Sequence, residues 1–125
     1  MPILRHALLA KLHFARVTRC DREYMGSISI DAELLDAVGL RPNEKVLVCD
    51  VENGSRFETY VLKAPRGSRE IGVNGAAALL TSLGHRVLIM SFGLMSGEEM
   101  ETHRPKVAIC SASNEVERVL SYDPD

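Results

Sequence analysis

Lys45-Val46-Leu47-Val48-Cys49-Asp50-Val51, then Glu52-Asn53-Gly54-Ser55, then Arg56-Phe57-Glu58-Thr59-Tyr60-Val61-Leu62 is the stretch that decides the fold class. Two runs rich in β-formers flank a polar quartet. Asn-Gly accepts positive φ at both central positions of a tight turn, so the segment reads as a β-hairpin. The same grammar repeats outward from it. Ser27-Ile28-Ser29-Ile30 alternates polar and apolar and reads as a short, half-buried strand. Glu70 to Val73 is another short strand. Arg86 to Phe92 is the most apolar and is expected near the centre of the sheet. Lys106 to Cys110 reads as the final strand. Ile3 to Thr18 reads as a long strand or strand pair, although Leu8-Leu9-Ala10-Lys11-Leu12 also suits a helical turn.

Helical signals are short. Asp31 can cap a helix whose apolar face is Leu34, Leu35 and Val38, with Gly39 as its stop. Gly75 to Leu83 reads as a helix started after Asn74 and ended by Gly84. Arg41 to Glu44 is a turn, Ala64 to Ser68 a loop, and Arg19 to Tyr24 a polar connection. Gly93 to Thr102 reads as a loop or helical turn, and Ser121 to Asp125 as a frayed end. Many short strands with closely spaced turns predict one mainly β domain, a small barrel with two or three short helices.

Composition narrows the function classes. A chain of 125 residues, 46% apolar and without tryptophan, builds one core from Val, Ile, Leu, Ala and Met. A formal charge of −2 without a basic block argues against a nucleic-acid binder. Cys20, Cys49 and Cys110 have no close pairing, which suits reduced, mostly buried thiols in a cytoplasmic protein and neither a disulfide framework nor a zinc site. His6, His13, His85 and His103 show no metal-ligand spacing. Arg5, His6 and Lys11 interrupt the N-terminal apolar residues, so no signal peptide or membrane span is expected there.

Four stretches carry chemistry. In Tyr24-Met25-Gly26-Ser27, a serine hydroxyl follows a residue without a side chain. Such a hydroxyl can attack the preceding carbonyl if the turn holds it close, and glycine makes unusual dihedrals reachable. Taken alone, the pair is an ordinary turn. In Arg56-Phe57-Glu58-Thr59-Tyr60, Arg56 offers a planar fork for a carboxylate, Tyr60 a phenol proton, and Thr59 a hydroxyl for hydrogen bonding. A surface hairpin strand accounts for the same residues. Alternation along a strand also sends Thr59 and Tyr60 to opposite faces. In Val73-Asn74-Gly75-Ala76-Ala77-Ala78, a helix start with small residues exposes amides to an anion. A tightly packed capped helix is equally compatible. Lys11 and His13, two apart in Lys11-Leu12-His13, share a face if the run is a strand.

In this order and at these separations, the four stretches resemble the pyruvoyl-dependent aspartate 1-decarboxylases. The likeness runs from about Ile3 to about Asn114 and includes the helix from Asp31 and Arg66-Gly67-Ser68. It implies a double-psi β-barrel and self-cleavage between Gly26 and Ser27, giving a β chain of residues 1–26 and an α chain of residues 27–125. It implies that Ser27 becomes a covalent pyruvoyl group, without metal or pyridoxal phosphate. L-Aspartate then condenses with that ketone as a Schiff base, loses carbon dioxide and leaves as β-alanine for pantothenate and coenzyme A synthesis. The resemblance makes Tyr60 the proton donor and gives Thr59 a part in both processing and substrate binding. Arg56 and Lys11 would hold carboxylates, Gly75, Ala76 and Ala77 would bind substrate through the backbone, and His13 and Asn74 would support them. It further implies a homotetramer with sites between subunits, and a possible maturation factor. Met25, Leu79 and His85 depart from the family's usual residues, the last two bearing on substrate choice or assembly. The alternatives are the same chemistry on another amino acid, or a non-enzymatic small-barrel binding module.

Overall fold

The irregular apolar pattern at the N-terminus has a structural cause. In the computed structural model, which describes residues 1–123, Leu4–Arg16 forms one strand, β1. Against β7 (Arg86–Ser96) its register shifts twice, between Leu8 and Ala10 and between His13 and Ala15. Each shift slips an extra residue into β1 and changes which parity faces inward. The buried positions are accordingly Ala7, then Ala10 and Leu12, then Ala15. At the second shift Phe14 takes a φ of 64°, and its ring stacks on His13 with 4.0 Å between centroids.

The remaining strands are β2 (Arg19–Asp21), β3 (Ser27–Asp31), β4 (Lys45–Asp50), β5 (Arg56–Ala64), β6 (Ile71–Asn74), β8 (Lys106–Cys110) and β9 (Val116–Ser121). They join β1 and β7 in one sheet of order β2-β6-β3-β5-β4-β7-β1-β8-β9. Pairing is mixed: β1–β8, β2–β6 and β3–β5 are parallel, the rest antiparallel. Ile71 and Val73, near one end of that order, share a hydrophobic cluster with Ala108 and Cys110, near the other. The sheet therefore curls round its core, the mainly β small-barrel architecture expected. As expected, β7 is interior, paired on both sides by β4 and β1. Cys20, Cys49 and Cys110 are all free thiols, the last two buried. Among the described residues no helix is long and apolar enough to cross a membrane.

Several elements differ from expectation. Arg19–Asp21 is a strand, not a loop, because it finds β6 as a partner far along the chain. Lys106–Cys110 is not the last strand: β9 pairs with it antiparallel. The end is thus ordered past Ser121, with the Tyr122 amide donating to the Pro105 carbonyl at 3.2 Å; the expected fraying at Pro124 and Asp125 lies outside the described residues. Of the stretch expected as a loop or helical turn, Gly93 to Ser96 instead extends β7, whereas Gly97–Met100 is the helical alternative, α2, started by a Ser96–Glu99 capping box. The β4–β5 hairpin forms, but only Gly54 of the Asn-Gly pair has positive φ, at 76°. Asp50 organises that loop instead, accepting from the amides of Glu52 and Asn53 at 2.8 and 3.2 Å.

The central strand for function is β3. It lies between β6 and β5, and all five of its residues are buried rather than half of them. Ile28 and Ile30 enter the apolar cluster, so Ser27, Ser29 and Asp31 point to the other side. Asp31 caps α1 (Ala32–Val38) as expected, accepting from Glu33 N at 2.8 Å, and Gly39 ends the helix at a φ of 78°. It also accepts from the amides of Gly67 at 3.0 Å and Arg69 at 2.8 Å, which closes the loop before β6 over the buried polar side. Burial alone would raise its pKa. The bonds from Glu33, Arg69 and Gly67, with the Arg69 charge, outweigh that and hold the carboxyl below its usual value.

A carboxyl depressed in the folded state stabilises above its unfolded pKa, here near 3.8, and that contribution is lost as the pH falls through the lower folded value. Asp31→Asn should cost about 2–3 kcal/mol near neutrality. In thermal melts the gap to the wild type should narrow below about pH 3.8; a gap independent of pH would show that the charge on Asp31 does not contribute.

Candidate active site

The polar side of β3 starts with Ser27, whose side chain is fully enclosed at 0% exposure. Its hydroxyl donates to the Met25 carbonyl at 3.2 Å and accepts from Asn74 Nδ2 at 2.9 Å. Asn74 is the cross-strand neighbour of Ser27 on β6 and is equally buried. The same amide nitrogen reaches Ser29 Oγ at 3.2 Å, because Ser27 and Ser29 lie two apart on one face. Asn74 Oδ1 accepts from Arg19 Nη2 at 3.3 Å. Every polar atom of this asparagine side chain is thus engaged, as burial requires.

Asn74 does not cap the segment after it. Gly75–Leu80 is a 3-10 helix, not an α-helix, and makes no side-chain cap bond with Asn74. Ala76 is exposed and Ala77 packs against the core. Gly75 has another reason to be glycine. Its φ is 73°, and a Cβ there would lie 2.7 Å from Gly26 Cα. Gly26 itself has no positive φ, and a Cβ on it would touch nothing within 4 Å. The conformational demand expected at Gly26 is carried instead by Gly75, packed against it.

Strand β5 brings the next residues. Ile28 pairs with Val61, so Tyr60 stands one step earlier beside Ser27. Val61 and Ile28 face the core, which turns Tyr60 and Ser27 to the same opposite face. Pairing with β4 sets Arg56, Glu58 and Tyr60 on that face, with Glu58 bridged to Lys45 at 2.8 Å. Tyr60 is 38% exposed. Thr59 shares the core-facing parity of Phe57 and Val61, and β5 runs without a register shift. The predicted opposition of Thr59 and Tyr60 is therefore real within one chain. Lys11 and His13 lie on β1, separated from β3 by β5, β4 and β7. Burial, and then the Lys11 charge, lowers the His13 pKa, which favours a neutral imidazole. Within the chain, Gly26, Ser27, Tyr60, Asn74 and Gly75 come together; Lys11, His13 and Thr59 do not join them.

Sequence reasoning missed Arg19 and Ser29. The spacing Ser27-x-Ser29 was a usable signal for Ser29, since it places both hydroxyls on one strand face. Nothing local marks Arg19, which reaches Asn74 only through the β2–β6 pairing. Of the three departures, Leu79 is 68% exposed. His85 Nδ1 lies 2.8 Å from Asp50 Oδ2, which also accepts from Thr81 at 2.7 Å. His85 thereby ties the loop after the 3-10 helix to the β4–β5 turn.

The contrast between the two glycines is testable. Gly75→Ala should lose roughly 1–2 kcal/mol from its positive φ alone, with the clash on Gly26 added. Gly26→Ala should melt within about 1 kcal/mol of the wild type, since its Cβ meets open space. Equal melting temperatures for the two variants would contradict the packing described.

Comparison with known proteins shows the family. The family model described as aspartate decarboxylase matches residues 3–117. The aspartate 1-decarboxylase of Bacillus licheniformis is 48% identical over 120 residues, covering 96% of this chain and 94% of the relative. That of Hyphomonas neptunium is 51% identical over 111 residues, covering 89% of this chain and 94% of the relative. The Bacillus subtilis enzyme is 46% identical over 120 residues, with 96% and 94% covered. A match across nearly the full length, joined to a buried Ser27 after Gly26 in a small β-barrel, places the chain in the aspartate decarboxylase family.

Proposed function

We propose that this protein is an aspartate 1-decarboxylase that makes its own catalytic group at Ser27. The observation that carries the reading is the enclosed Ser27 hydroxyl, bridged by Asn74 in a turn whose Gly26 backbone packs against Gly75. Ser27 Oγ attacks the Gly26 carbonyl carbon, the C–N bond breaks, and the nitrogen takes the hydroxyl proton, leaving an ester. Loss of the α-hydrogen at position 27 expels the Gly26 carboxylate and leaves dehydroalanine. Tautomerisation and addition of water release ammonia and leave a ketone. Asn74 donates to Ser27 Oγ and steadies the negative charge that builds on this oxygen as it leaves with the Gly26 carboxylate.

The residues present suit such a group. Asn74 Nδ2 gives position 27 a polar partner and is itself shared with Ser29 Oγ, and the missing Cβ at Gly75 leaves room for the Gly26 backbone. A pyruvoyl ketone supplies an electron sink that takes up the substrate amine and draws electrons from Cα as carbon dioxide departs. Tyr60, on the face of β5 shared with Ser27, is placed to return a proton to Cα. Arg56, four residues earlier on the same face, offers its fork to a substrate carboxylate and favours a diacid. Ser27 is buried while Tyr24 and Met25 are exposed, and a break after Gly26 would free the segment whose Met25 carbonyl holds the Ser27 hydroxyl. Lys11, His13 and Thr59 join the site across a subunit interface of a homotetramer, because β-sheet order and strand parity keep them from it within one chain.

Intact mass is the decisive measurement. The wild type should resolve into residues 1–26 and a fragment from position 27 bearing a ketone, whereas Ser27→Ala stays whole; an uncut wild type after prolonged heating would refute the reading. Tyr60→Phe should cut normally but turn over aspartate at least roughly a hundredfold more slowly. Failure of this variant to cut would move Tyr60 into the processing step. Carbon dioxide release should be faster from aspartate than from glutamate or cysteine sulfinate, and the opposite preference would make this the same chemistry on another amino acid.

A further inference from the structure

We propose that Arg19 is a positioning residue for the chemistry at Ser27, acting through the Asn74 amide; this rests on the reading of Ser27 given above. The argument is one of donors and acceptors. Asn74 carries an acceptor oxygen and a two-hydrogen donor of nearly equal size. Its neighbours Ser27 and Ser29 are hydroxyls, which both give and take hydrogen bonds, so they tolerate the amide either way round. Arg19 does not, because a guanidinium only donates. With Arg19 Nη2 at 3.3 Å, the amide oxygen is fixed toward Arg19 and the nitrogen must face the two serines. Ser27 Oγ is thereby kept as an acceptor, with its own hydrogen sent to the Met25 carbonyl. Turned over, the amide would present its oxygen to Ser27. It would then withdraw the Asn74 donor that steadies charge on Oγ as this oxygen leaves with the Gly26 carboxylate.

Arg19 is held for this task from several sides. It pairs with Gly72 across β2 and β6, and a Cβ at Gly72 would lie 2.9 Å from Nη2 and 3.1 Å from Nε. The guanidinium thus occupies a slot that only glycine leaves open. Glu70 Oε2 lies 3.3 Å from Nη2, and the Tyr24 ring centre lies 5.8 Å from the guanidinium carbon. Tyr24 belongs to the turn that leads into Gly26, so one cation joins β2, β6 and the reacting turn. Nothing in the family reading assigns Arg19 a role.

The test follows cleavage of the full chain by intact mass from the moment of cell-free synthesis. Arg19→Met should slow the cut by roughly tenfold or more, the scale of one charge-assisted hydrogen bond. Arg19→Lys, still a donor-only cation, should restore most of the rate. Arg19→Gln, which also accepts, should not, even at a matched melting temperature. In an Asn74→Ala background Arg19→Met should change the rate by less than about twofold, because its route to Ser27 is already gone. A wild type that cuts at the same rate as Arg19→Met overturns the role of Arg19 and leaves the Ser27 reading intact. The same holds if Arg19→Met causes an equal loss in both backgrounds. A wild type that stays whole overturns both.

Discussion

Alternation along a strand covered on both faces is the constraint from which the site follows. The core takes Ile28 and Ile30, and this sends Ser27, Ser29 and Asp31 to a side that is closed from water as well. Each buried polar group left without a partner would cost about 1–3 kcal/mol. Partners therefore had to be built: Asn74 for the two serines, and the amides of Glu33, Gly67 and Arg69 for Asp31. The Ser27 hydroxyl, proposed to react, is thus part of a structural network. The same contacts that satisfy burial also aim Ser27, which links stability and chemistry in one set of bonds.

The outer face of β5 extends that logic toward substrate. Its regular pairing with β4 lines up Arg56, Glu58 and Tyr60, a cation, an acid and a phenol, on the side that Ser27 shares. Thr59 cannot join them without a bulge, and β5 has none. Strand parity therefore sends the two halves of the sequence motif to opposite faces of β5.

What could be read from the sequence was what depends on near neighbours. Asp31 and Gly39 bracket α1 because a cap and a left-handed stop are decided within a turn. The strands β3, β4, β5, β7 and β8 were legible from their apolar runs, and Gly26, Ser27 and Asn74 from motif order. The rest depended on distant partners. Arg19–Asp21 becomes a strand only by meeting β6, and Val116–Ser121 only by meeting β8. The two slips in β1 hide its alternation from any fixed period. The need for glycine at position 75 comes from Gly26 packed against it, which no local pattern reveals. Asn53 misled for a similar reason: the buried Asp50 carboxylate, anchored by Thr81 and His85, took over the turn.

The position of β1 has one more consequence. It is gripped on both sides, by β7 and β8, and β2 is paired with β6. Under the proposed scission after Gly26, the short polypeptide would stay in place as a noncovalent subunit, woven through the sheet. Such a molecule is formed by a folding reaction in one piece but, once unfolded, must recover in two. Its renaturation would be a second-order encounter that depends on concentration, so maturation would be a one-way passage in the life of each copy.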